Sequence, residues 1–61
     1  MARGSRIAQL VETKRDDGYT DVMVVTAQGN VAHGTYFLDC DRDYRIEKVT
    51  QEAFDKDYDE D

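Results

Sequence analysis

Two runs of alternating aspartates are the residues of this chain whose type and spacing most invite chemistry. They are "DCDRD" at 39–43 and "DKDYDED" at 55–61. Carboxylates at every second position suit either of two tasks. In a loop they are oxygen ligands for a hard cation such as Ca²⁺. On an extended chain they stand on one side, ~6.6 Å apart, which is close to the separation of neighbouring phosphates on a nucleic-acid strand. A third reading asks nothing of them but solubility.

The cation reading fails on the loop rules. Asp39, Asp41 and Asp43 match the first three ligand positions of an EF-hand, but the sixth position, which needs Gly for a sharp turn, is Tyr44. The twelfth, which needs a bidentate Glu, is Thr50. The run beginning at Asp55 ends before a twelfth position is reached. One cysteine and one histidine cannot make a zinc site. No metal and no cofactor is expected.

Catalysis is not expected either. His33 and Cys40 are the residue types of a base and a nucleophile, but such a pair needs hydrogen-bond contact and a third group to orient it. On an unbroken strand they point to opposite faces, so His33 is read as half-exposed and Cys40 as a small buried apolar residue. Carboxylate pairs for acid–base work need a pocket of ~300 Å³ or more, and a very small domain has little room for one. The chain is read as a non-enzyme.

The charge is polarised along the chain. Residues 1–38 hold four acids and four bases, whereas residues 39–61 hold ten acids and four bases, so the whole net charge of −6 lies in the last 23 residues. Such a balance argues against binding nucleic acid, which takes Lys and Arg to neutralise phosphates. It favours a basic partner surface, drawn in by the field of the acids. The acids that would meet it are Asp39, Asp41, Asp43, Glu47, Glu52, Asp55, Asp57, Asp59, Glu60 and Asp61. Tyr58, an aromatic inside the acidic run, reads either as an interface anchor or as a tail residue without a partner.

The elements that must position these groups are read from the turns. "RDDGY" at 15–19 and "QGN" at 28–30 supply residues that accept positive φ. They divide the chain into strands at 6–14, 20–27 and 31–38, the first of which also carries helical spacing at Ile7, Leu10 and Val11. Residues 20–27 are apolar on both faces, as in a central strand. Gly34 marks a bulge or a close-packing point. "DCDRD" reads as a third turn and "YRIEKVT", 44–50, as a fourth strand, with a short segment after it packing Phe54 on the end of the sheet. The fold expected is mainly β: an antiparallel four-stranded meander or a small SH3-like or Sm-like partial barrel. The organisation expected is a flexible N-terminus at 1–5, one small β domain at 6–54 and an acidic tail at 55–61.

With 61 residues the domain buries only ~60% of its unfolded surface, so a homodimer would supplement its core. A lone cysteine points to a reducing compartment, and neither a secretory leader nor a membrane span is legible, which together suggest the cytoplasm.

"GTYFLDCDRDYRIEKV", residues 34–49, resembles the second half of a WYL domain, an Sm-like β module of bacterial regulators. Tyr36, Phe37 and Leu38 take the places of that family's name-giving Trp, Tyr and Leu, and Arg42 and Arg45 those of its following basic residues. The resemblance implies a β fold and a ligand-sensing or regulatory role through Tyr36, Arg42 and Arg45. In overall character the chain resembles small acidic phage-encoded inhibitors of host machinery. The leading expectation is a DNA mimic that occludes the DNA-binding surface of a bacterial host enzyme, such as DNA gyrase or another topoisomerase, RNA polymerase, or a nuclease. In that role Arg42, Arg45 and Lys48 hold some carboxylates in place by ion pairs, while Tyr44 and Tyr58 add apolar contact.

Overall fold

The structure is a computed structural model that describes residues 5–58. Strands β1 (Ile7–Lys14), β2 (Thr20–Thr26) and β3 (Val31–Tyr36) form one antiparallel sheet in the order β1-β2-β3. A single 3₁₀ turn at Asp39–Asp41 leads into helix α1 (Arg42–Tyr58).

The turns form where Asp-Gly and Gly-Asn place them. Gly18 and Gly29 carry φ of +96° and +95°, a region in which a side chain is strained. In the first turn the Arg15 amide donates to the Tyr19 carbonyl at 2.8 Å, and Asp17 accepts from the Tyr19 amide at 3.1 Å. The helical spacing in residues 6–14 loses to this hairpin, because strand β1 can pair with β2 along its length. One register shift, between Ile7 and Gln9, bulges its start.

Strand β2 is central and apolar on both sides, but its two sides are not equivalent. Thr20, Val22, Val24 and Thr26 are buried, whereas Asp21, Met23 and Val25 are only half-buried. The asymmetry comes from α1, which packs over β2 and β3 on one face. There Val22, Val24, Ala32, Val49 and Ala53 make the core, with Tyr36 and Ile46 against it. No core side chain is larger than valine, and each buried valine contributes ~1.5–3 kcal/mol. Opposite, Val11 faces Met23 and Val25 faces Val31, and no described element covers them.

The fourth strand expected at 44–50 is instead part of a 17-residue helix. The reason is periodicity over the longer span. Ile46, Val49, Ala53 and Asp57 recur every three or four residues and all face the sheet, and no Gly or Pro interrupts the chain after Gly34. Among the remaining positions Arg42, Arg45, Glu47, Lys48, Gln51, Glu52 and Lys56 are good helix formers. Among the described residues the architecture is therefore a three-stranded sheet with one α-helix, not four strands and not closed into a barrel. Residues 55–58, expected to begin an acidic tail, form the last turn of α1, and 59–61 lie outside the described residues. Of the expected flexible N-terminus only Ser5 is described, and its hydroxyl bonds to Asp57. Cys40, expected to be buried, is exposed, because the 3₁₀ turn that carries it buries no residue.

Candidate functional site

Two regions bring chemistry-bearing residues together: the outer face of α1, and a cleft where the first turn meets the start of the helix.

The row expected at 39/41/43 does not form as an extended strand, because Asp39 and Asp41 lie in the 3₁₀ turn and Asp43 in the first turn of α1. Of the row expected at 55/57/59, Asp55 and Asp57 are helical, and residues two apart on a helix point in nearly opposite directions. Asp55 is exposed while Asp57 is 6% exposed. A different arrangement takes their place. Asp43 and Glu47 are one turn apart on one side of the helix, ~6 Å along the axis, while Glu52 and Asp55 lie further round its outer surface. All four acids are exposed. Asp39 and Asp41 are exposed in the 3₁₀ turn, close to the positive end of the helix dipole, which favours them there. Tyr58 is helical and 49% exposed. Asp59, Glu60 and Asp61 lie outside the described residues.

The bases of the same helix turn inward or find other partners. Arg42 makes a forked pair with Glu12 of β1, Nη2 to Oε2 at 2.7 Å and Nε to Oε1 at 3.0 Å, with a longer contact to Asp43 at 3.4 Å. The Tyr36 hydroxyl also donates to Glu12 at 3.0 Å. The Arg42 and Tyr36 hydrogen bonds hold the Glu12 carboxyl below its ordinary 4.5, and the same carboxylate holds Arg42 further in its charged form. Lys56 donates to the Val31 carbonyl, and Lys48 lies 5.4 Å from the centre of the Tyr44 ring. Of the three cations expected to pair with carboxylates, Arg42 does. Arg45 and Lys48 make no ion pair among the described residues.

Asp57 is a structural group. It accepts from Asn30 Nδ2 at 2.6 Å, Thr26 Oγ1 at 2.9 Å and Ser5 Oγ at 3.0 Å. Thr26 Oγ1 in turn accepts from the amides of Gln28 and Asn30, both at 3.2 Å. This network ties the end of α1 to the β2–β3 turn. The Asn30 hydrogen bond, with those of Thr26 and Ser5, outweighs burial and lowers the Asp57 pKa below its ordinary 3.8.

The cleft has a volume of about 420 Å³ and is lined by Tyr19, Thr35, Tyr36, Phe37, Asp41, Tyr44 and Arg45. The rings of Tyr19 and Phe37 meet at 5.0 Å with their planes tilted by 49°. Two glycines make the room. A Cβ on Gly18 would come within 2.8 Å of Phe37 Cε1, and one on Gly34 within 2.6 Å of Val49 Cγ2 and 3.0 Å of Arg45 Cδ. Gly34 is thus a close-packing point, and the Arg45 stem runs over it into the cleft. Arg45 Nε is shielded from solvent and has no hydrogen-bond partner. Tyr19, Phe37 and Tyr44 are 43%, 55% and 56% exposed, so these aromatics form a surface. The signal that would have found them is register: Thr20 pairs with Tyr36, so one residue further Tyr19 and Phe37 stand opposite each other.

Among the described residues no three His, Cys, Asp or Glu side chains converge as metal ligands, and no helix is long and apolar enough to cross a membrane. Comparison with family models, with curated proteins and with solved structures returns no match to this chain.

Proposed function

We propose that this chain is a non-enzymatic binding protein that imitates DNA and occludes the basic DNA-binding surface of a larger enzyme. The observation that carries this reading is the division of charge on α1 and the 3₁₀ turn before it. Asp39, Asp41, Asp43, Glu47, Glu52 and Asp55 face solvent, whereas Arg42 is paired with Glu12 and only Arg45, Lys48 and Lys56 remain as cations without an ion pair among the described residues. The outward balance of this region is therefore negative, and the ~6 Å step from Asp43 to Glu47 is of the order of the phosphate spacing that a DNA-binding surface meets. Tyr58, half-exposed on the last turn, adds an apolar anchor at the end of this face. The targets whose surfaces have this chemistry are DNA gyrase and other topoisomerases, RNA polymerases and nucleases.

The mechanism is competitive: carboxylates take the places of phosphates, and both partners release counterions on contact. The test is capture of partners from bacterial lysate at low salt, followed by elution with duplex DNA. The expected result is that the retained protein leaves with DNA, and leaves equally at high salt. Retention that withstands both saturating DNA and high salt sinks the competitive mechanism.

A further inference from the structure

The two edges of the sheet are treated differently. Strands β1 and β3 are both outermost in the order β1-β2-β3, so each has one side that meets no other described strand. An open strand edge is a template for pairing, and folds guard against it with short strands, lysines or a covering element. Strand β3 is guarded. The Thr26 amide bonds to the Asn30 carbonyl, so by alternation the Val31 carbonyl points away from β2, and there it accepts from Lys56 of α1. Strand β1 is longer, eight residues without proline, and no described element lies along its outer side. The Arg15 amide bonds inward to Tyr19, so by the same alternation Leu10, Glu12 and Lys14 direct their backbone N–H and C=O groups outward. The side chains of β1 are as bare as its backbone. Leu10 pairs with Val24 and Ile7 with Thr26, which places both on the helix side of the sheet. Helix α1 packs over β2 and β3 and stops short of them, leaving Leu10 41% and Ile7 43% exposed.

We propose that β1 pairs antiparallel with β1 of a second copy of this chain, joining two three-stranded sheets into one. A second copy offers the same unsatisfied edge and the same two apolar side chains, as a two-fold contact requires. It also meets this chain on neutral ground. Strand β1 holds one acid and one base, and the acid, Glu12, is already paired with Arg42. The added apolar contacts supplement a core in which no side chain is larger than valine. Because β3 is guarded, pairing closes at two chains and does not run on into a fibre. Antiparallel neighbours keep the same face only if the two-fold axis is normal to the sheet. Both helices therefore lie on one side, flanking a trough floored by Ile7 and Leu10 of each copy. A seam of eight residues is smaller than the ~20–30 residues a side of a standard interface, so association is micromolar rather than nanomolar.

The test is sedimentation equilibrium of the full chain from ~5 µM to ~1 mM, with amide hydrogen exchange followed by NMR over the same range. The expected result is a monomer–dimer equilibrium in which the Leu10, Glu12 and Lys14 amides exchange more slowly as concentration rises. Salt should strengthen the dimer, because it screens the repulsion between two chains of −6. Its effect on a basic partner of α1 has the opposite sign, so this proposal and the proposed function fail separately. Leu10→Lys, at an exposed position, should keep the circular dichroism of the parent and raise the dissociation constant ~10-fold or more. His33→Glu, exposed on the face of the sheet away from α1, should leave that constant unchanged. A chain that stays monomeric at ~1 mM overturns the proposal. So does a dimer whose outward β1 amides stay unprotected, or one that Leu10→Lys leaves intact. A dimer lost in His33→Glu would belong to the open face of the sheet and overturns edge pairing equally.

Discussion

Asp57 sits at the C-terminal end of α1, where the helix dipole disfavours a negative charge, and it is nonetheless almost fully buried. Three donors from Ser5, Thr26 and Asn30 make that position tenable. Its neighbour Asp55, two residues earlier, has no such partners and faces solvent. The same residue type thus does opposite work on opposite sides of one helix. The pH dependence follows from the sign of the shift. A carboxyl whose folded pKa lies below its ordinary 3.8 stabilises the fold fully above that value and ceases to do so as pH falls through the folded pKa. Glu12, held below 4.5 by Arg42 and Tyr36, acts in the same direction. Asp57→Asn should therefore lower the thermal midpoint at neutral pH and flatten its decline below about pH 4. Melting curves across that range, read by circular dichroism, check it. An unchanged acid limb in the variant would remove Asp57 from the account.

At the scale of elements, the deciding contact is between α1 and β3 at Gly34. The helix lies close because position 34 has no Cβ, and Val49 and the Arg45 stem occupy that space. Gly34→Ala forces an added methyl within 2.6 Å of a core valine. Overpacking of this kind costs ~1–3 kcal/mol, a large share of the stability of so small a domain. Denaturant unfolding measures it, and a variant as stable as the parent would show that α1 does not pack here. The contact also explains why 44–50 is not a strand. Over seven residues Tyr44, Ile46 and Lys48 mimic alternation. Over seventeen, the spacing of Ile46, Val49, Ala53 and Asp57 is helical, and the longer pattern buries more surface. The helix that replaces the expected strand spreads Asp43, Glu47, Glu52 and Asp55 over its outer surface and turns Asp57 inward.

For the whole molecule, the governing quantity is charge and where it faces. Reversing Asp43, Glu47 and Asp55 to Lys together adds two charges at each of three sites and brings the net charge of −6 to zero. All three are exposed, so the fold should survive. Association with a DNA-binding partner should slow by ~10-fold or more at low salt and lose its dependence on ionic strength. Stopped-flow association at several salt concentrations reads both effects. Equal rates for parent and variant would detach these exposed acids from function.

The sequence by itself determined the two turns and the strands at 20–27 and 31–38, because Asp-Gly and Gly-Asn are local constraints and the run TDVMVVT is β-branched, while 6–14 reads as a strand only through the hairpin it shares and 44–50 is misread as a fourth strand. It determined the polarity of charge as well, since a count of residues needs no fold. Only the tertiary structure decided which acids face outward. Asp55 and Asp57 are indistinguishable as letters, and the donors that claim one of them come from Ser5, Thr26 and Asn30, up to 52 residues away. The cleft was equally hidden. Tyr19, Phe37, Tyr44 and Arg45 come together only through strand register and the packing of a helix on a glycine, and both are long-range contacts that no local pattern encodes.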